Sequence, residues 1–190
     1  MSACEQQWER VLGLMAEMHG QNLEQNVISC SAAISACEKA GQWERALAIL
    51  AIMHHEFSEP NAFSYDAAIS ACEKGGEWAK ALKLLSRMAG NTIEVNTITY
   101  NAAISACEKS SKWLKALELL SSMTPRRIDA SAITFNAAIK ACERGLAWQR
   151  VLALLREMRV GRLLPDPVSY ACGMRMSGLG SIWPAATAAL

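Results

Sequence analysis

Six tryptophans, Trp8, Trp43, Trp78, Trp113, Trp148 and Trp183, follow one another at intervals of 35 residues. Self-similarity at a fixed period of this size marks a chain made of copies of one supersecondary unit, each too small to bury its apolar face alone. In register, residues 27–61, 62–96, 97–131 and 132–166 are four full units. Residues 1–26 are a front-truncated unit and residues 167–190 a tail-truncated, degenerate one. The whole reads as a single repeat domain.

Within a unit, Tyr100, Ala103, Ile104 and Cys107 recur at helical spacing and predict a first helix, helix A. Ser64, Thr99 and Thr134 stand just before that run and are expected as its N-caps. The pairs Ala40-Gly41, Gly75-Gly76 and Ser110-Ser111 interrupt the pattern. A second apolar face follows in Trp113, Ala116, Leu117, Leu120 and Met123, which predicts helix B. Pro60, Pro125 and Pro165 fall after it, where proline punctuates. Each unit is therefore an αα-hairpin, and hairpins that must stack give an all-α, right-handed superhelical αα-solenoid. The Ala-Ala pairs at 32–33, 67–68, 102–103 and 137–138 would let helices approach closely, and the Trp would pack under the A–B turn.

Composition narrows the function classes. The longest apolar run, Ala46 to Met53, is far too short to span a membrane. The start of the chain has neither a secretory nor a transit-peptide pattern. Cys37, Cys72, Cys107 and Cys142 repeat at the unit period without any CxxC pair, so they read as small reduced core residues. The three histidines, at 19, 54 and 55, have no ligand spacing to them, and neither a metal nor another cofactor is expected. No His-Cys, His-Ser or paired-carboxylate arrangement stands outside the repeat, which argues against an enzyme.

A polar stripe runs along helix A on a different face from the core residues: Ser31, Ser35, Glu38, Lys39; Asp66, Ser70, Glu73, Lys74; Asn101, Ser105, Glu108, Lys109; Asn136, Lys140, Glu143, Arg144. Short hydrogen-bonding side chains vary at one end while a cation is kept at the other, an arrangement suited to reading bases and holding phosphates. A solvated face with intrahelical charge pairs has the same composition. Formal net charge is only +1. The basic residues concentrate after residue 96, with Arg126, Arg127, Arg156, Arg159 and Arg162 among them.

The period, the aromatic-Asn entry to helix A (Tyr100-Asn101, Phe135-Asn136), the Ala-Leu pairs of helix B (Ala46-Leu47, Ala81-Leu82, Ala116-Leu117) and the late Met (Met53, Met88, Met123, Met158) resemble the pentatricopeptide repeat (PPR) family over nearly the whole chain. That resemblance implies a modular binder of single-stranded RNA, one base per repeat, with RNA running 5′ to 3′ as the protein runs N to C. The base-specifying pairs would be Ser31 with Asn61 for adenine, Asn101 with Ser131 for a pyrimidine leaning to cytosine, and Asn136 with Asp166 for uracil; Asp66 with Asn96 departs from the usual combinations. Ile28, Phe63, Ile98 and Ile133 would sandwich bases, and Lys39, Lys74, Lys109 and Arg144 would contact phosphate. Cys30 replaces the aromatic in the first full unit, and Ala171-Cys172-Gly173 leaves the pattern.

The resemblance further implies a mitochondrial or plastid protein acting in RNA processing, editing, stability or translation, with other RNA-processing proteins as partners. A chain that starts and stops inside repeats is expected to be a fragment or reduced gene model. Its uncapped ends, notably apolar Pro184 to Leu190, suit self-association. A protein-interaction scaffold like the tetratricopeptide repeat is the competing reading, but that family has a period of 34 with Trp early in helix A.

Overall fold

The computed structural model describes residue 13 and residues 27–56 and 60–178. Trp8, His19, Trp183 and the segment Pro184 to Leu190 lie outside the described residues. The chain divides into two compact units, Met1–Val95 and Asn96–Leu190.

The described residues of the first unit form four helices, α1 (Val27–Lys39), α2 (Trp43–Glu56), α3 (Ala62–Gly75) and α4 (Trp78–Gly90). In the second unit α5 (Thr97–Lys109) and α6 (Trp113–Met123) are followed by a 3₁₀ turn (Thr124–Arg126), then α7 (Ala132–Arg144), α8 (Trp148–Val160) and α9 (Pro167–Gly178). The second tryptophan of the series and the three after it open the B helices α2, α4, α6 and α8, as the 35-residue register requires. Inside a unit, an A helix packs on its own B helix and on the next A helix, and the B helix between them packs on that second A helix: α1 on α2 and α3, α2 on α3, α5 on α6 and α7, α6 on α7. No described helix is long and apolar enough to cross a membrane.

The core repeats with the sequence. Ala33, Ile34 and Cys37 of α1 are buried, as are Ala68, Ile69 and Cys72 of α3, Ala103, Ile104 and Cys107 of α5, and Ala138, Ile139 and Cys142 of α7. The B helices add Ala46, Ala81, Ala116 and Val151 and the four late methionines Met53, Met88, Met123 and Met158. Only the second alanine of each pair is completely enclosed; Ala32 is exposed and Ala102 and Ala137 are half-buried. Burial pushes the Cys72, Cys107 and Cys142 thiols up to about 11, so they stay protonated and unreactive at neutral pH. No disulfide joins the described cysteines.

One expectation differs from the structure. Ser64, Thr99 and Thr134 are not N-caps but third residues inside their helices; the caps are Asn61, Asn96 and Ser131, three positions earlier. The helix begins one turn before the core-facing run, because its first turn carries an apolar residue that points outward. Two of the tryptophans pack against the A–B turn of the following repeat. Trp43 lies against Gly75 at the end of the next A helix, where an added Cβ would stand 2.1 Å from the ring, and Trp113 lies against Gly145 at the same distance. Lys80 Nζ also sits 3.5 Å above the centre of the Trp43 ring, an attractive cation–π placement.

The helices end alike. The amide after the left-handed residue of each A–B turn donates back to the Cys carbonyl near the end of helix A: Gln42 to Cys37, Glu77 to Cys72, Lys112 to Cys107 and Ala147 to Cys142, the Schellman pattern. The left-handed residue is Gly41 or Gly76 in the first unit but Ser111 or Leu146 in the second, with φ of 55° at both of the latter. A side chain there is strained. Because Leu146 is 69% exposed, Leu146→Gly is expected to stabilise the protein by about 0.5–1 kcal/mol, read as a higher urea midpoint at unchanged slope.

Candidate nucleic-acid interface

The three classes of residue singled out in the sequence occupy fixed places on the A helices. Ile28, Phe63, Ile98 and Ile133 are each the second residue of their helix and are 77, 58, 70 and 68% exposed. Ser31, Asp66, Asn101 and Asn136 are each the fifth. Residues three apart on a helix share a face, so an exposed apolar group adjoins a polar one in every repeat.

The unit-closing residues Asn61, Asn96, Ser131 and Asp166 belong to the next helix, because each caps its N-terminus. Asn61 Oδ1 accepts from Ser64 N at 2.9 Å, Asn96 Oδ1 from Thr99 N at 3.0 Å, Ser131 Oγ from Thr134 N at 3.3 Å and Asp166 Oδ1 from Ser169 N at 2.8 Å. Asn96 with Thr99 and Ser131 with Thr134 form reciprocal capping boxes.

Within each unit the stacking of A helices brings the two members of a pair together. Asn136 Nδ2 donates directly to Asp166 Oδ2 at 2.8 Å. The other two pairs meet through the buried hydroxyl of the third helical residue. Ser31 Oγ lies 2.7 Å from Ser64 Oγ, which donates to Asn61 Oδ1 at 2.8 Å. Thr134 Oγ1 donates to Asn101 Oδ1 at 2.6 Å and stands 3.0 Å from Ser131 Oγ. Ser169 Oγ likewise donates to Asn136 Oδ1 and is 2.9 Å from Asp166 Oδ1. Asp66, half-buried on α3, belongs to the first unit and Asn96 to the second.

The cations end the A helices, where they complement the dipole. Lys39, Lys74, Lys109 and Arg144 are all exposed. Lys74 pairs with Glu38 at 2.9 Å and Arg144 with Glu108 at 2.9 Å. Arg144 also donates to the Lys109 carbonyl at 3.3 Å. These bonds join successive A helices rather than one helix to itself. Lys74 and Arg144 therefore make rungs of an inter-repeat ladder.

The ladder has members that sequence spacing does not reveal. Ser70 donates to Glu38 at 3.0 Å, and Arg175 of α9 clasps Glu143 through two bonds, the shorter at 2.7 Å. Burial raises the Glu143 carboxyl, but its contacts with Cys172, Arg175 and Arg144 outweigh that and hold it below the usual carboxylate range. Among the described residues, no three His, Cys, Asp or Glu side chains stand close enough to hold a metal ion.

Comparisons with known proteins agree on the repeat. The PPR repeat family matches residues 60–107 and 95–144, the pentatricopeptide repeat domain residues 13–75 and the PPR repeat residues 133–162. No curated protein matches the chain in sequence. Among solved structures it is similar to the pentatricopeptide repeat protein PPR10 in complex with an 18-nt psaJ RNA element, with TM-score 0.76 and 23% identity over 92% of this chain and 26% of that one. It is also similar to PPR10 from maize, with TM-score 0.72 and 23% identity over 96% of this chain and 26% of the other. The chain thus spans about a quarter of the length of these proteins. The matched segments run from residue 13 to residue 162 and carry the same hairpin that the structure repeats, so the chain belongs to the pentatricopeptide repeat family.

Proposed function

We propose that this chain binds single-stranded RNA as a modular reader, one base per repeat, and that it acts by binding rather than by catalysis. The observation that carries the reading is the exposure of Ile28, Phe63, Ile98 and Ile133 at one position of their repeats, with Ile28, Ile98 and Ile133 each beside a polar pair held in place by hydrogen bonds. Apolar side chains left in water at one position of every repeat offer flat surfaces to an unstacked base. The adjoining polar pair offers donors and acceptors to that base's edge. The RNA bound to PPR10 in a protein of like fold supports the same reading.

Ser31 with Asn61, Asn101 with Ser131 and Asn136 with Asp166 read adenine, a pyrimidine leaning to cytosine, and uracil. Lys39, Lys74, Lys109 and Arg144 hold phosphates at the far end of the stripe. The compartment consistent with the family is a mitochondrion or plastid, with RNA processing, editing, stability or translation as the outcome of binding.

Lys74 and Arg144 already pair with glutamates. RNA phosphates therefore replace existing ion pairs, and the net counterion release stays small. In a fluorescence polarisation titration with short labelled RNA, log affinity is expected to fall with log salt at a slope no steeper than about −3. Equal binding of matched single-stranded DNA and scrambled RNA would defeat the proposal.

A further inference from the structure

Two reading asparagines, Asn101 and Asn136, have their amides held by a hydroxyl from the following repeat. A side-chain amide presents a carbonyl at one end and N–H donors at the other, so which end faces a ligand decides what it recognises. We propose that Thr134 and Ser169 are specificity-determining positioning residues: they fix the amide orientation of Asn101 and Asn136, so that each base is read by three residues drawn from two repeats. This rests on the base-reading pairs assigned above.

The geometry at Thr134 supports the orientation. Its Oγ1 accepts from the Ser131 backbone N–H at 3.0 Å, so its single proton is left for another acceptor. Asn101 Oδ1 lies 2.6 Å away, a length typical of O–H···O and short for an amide N–H donor. The Asn101 carbonyl therefore turns inward and its N–H₂ group is left to face a ligand. The Ser131 hydroxyl, 3.0 Å from the same Oγ1, is tied into the chain, so the two readers are set together.

Ser169 gives an independent case. The Asp166 carboxylate only accepts, so the Asn136 Nδ2 that contacts it at 2.8 Å must be the amide nitrogen. The carbonyl end is then turned to the Ser169 hydroxyl, whose one proton is shared between that carbonyl and Asp166 Oδ1, 2.9 Å away. Both hydroxyls are enclosed, Thr134 fully and Ser169 to within 1%. Neither touches solvent, and neither would touch a base. Their influence on recognition passes through the asparagines.

The test compares the native chain with Thr134→Val, which keeps the shape without the hydroxyl, and Thr134→Ser, which restores it. Binding is measured to short RNAs differing only at the base facing Asn101 and Ser131. Thr134→Val is expected to reduce the pyrimidine preference there by about fivefold, Thr134→Ser to retain it, and both to leave the neighbouring uracil preference unchanged. Ser169→Ala serves as a second arm with the opposite pattern, and it keeps the backbone cap made by Asp166 if Thr134→Val does not fold. A folded Thr134→Val or Ser169→Ala protein with native preference at its own base overturns the inference alone. A native chain with no preference at either base overturns the base-reading assignment, and the inference with it.

Discussion

The double substitution Asn136→Thr with Asp166→Asn is expected to move the preference at one base from uracil to adenine. A carboxylate only accepts hydrogen bonds, so Asp166 favours a base edge with a ring N–H, as uracil has. An asparagine offers both a donor and an acceptor, which suits the amino group and ring nitrogen of adenine. The change leaves helix α9 capped, because Asn serves as N-cap about as well as Asp, and Ser169 N retains an acceptor. The reversal is expected to be about tenfold in each direction, measured by competition between RNAs that differ at that base. Unchanged preference in a folded protein would show that the pair does not read the base.

The second large effect concerns the exposed apolar row. Ile98→Ser and Ile133→Ser together should lower RNA affinity by roughly a hundredfold, about tenfold for each side chain that no longer covers a base. Both isoleucines are about two-thirds or more exposed in the unbound protein, so folding gains little from them and the melting temperature should hardly move. A titration run beside a thermal melt separates the two quantities. Native affinity in the double variant, or a loss that tracks unfolding, would contradict a base-covering role.

The hairpin register was legible because every unit repeats one apolar pattern: a period of 35 placed Trp43, Trp78, Trp113 and Trp148 at the first position of their helices without reference to any distance. The start of helix A was misread by one turn for a physical reason. Sequence rules follow the buried face, and the first turn shows only an outward apolar residue, such as Ile98, flanked by two capping-type residues, Asn96 and Thr99. Both take part in the cap, in reciprocal roles that spacing cannot assign.

The positions of the proposed reading residues follow from the family pattern, yet their bonding does not. Asn101 and Thr134 are one stacking interval apart, and only helix packing brings them to 2.6 Å. The same holds for the ladder. Glu108 and Lys109 are neighbours in sequence, while the cation that Glu108 meets is Arg144 on the next A helix. Spacing does not mark Arg175 because the last repeat departs from the pattern and supplies its cation from a different helical position.

Selection of RNA by the protein from a random single-stranded pool, followed by sequencing, tests the central claim most directly. The expected result is an enriched core in which, 5′ to 3′, adenine precedes a pyrimidine with cytosine favoured and then uracil, in the order of Ser31 with Asn61, Asn101 with Ser131 and Asn136 with Asp166. A pool that returns unenriched, or an enriched core whose bases do not follow that order, would contradict it.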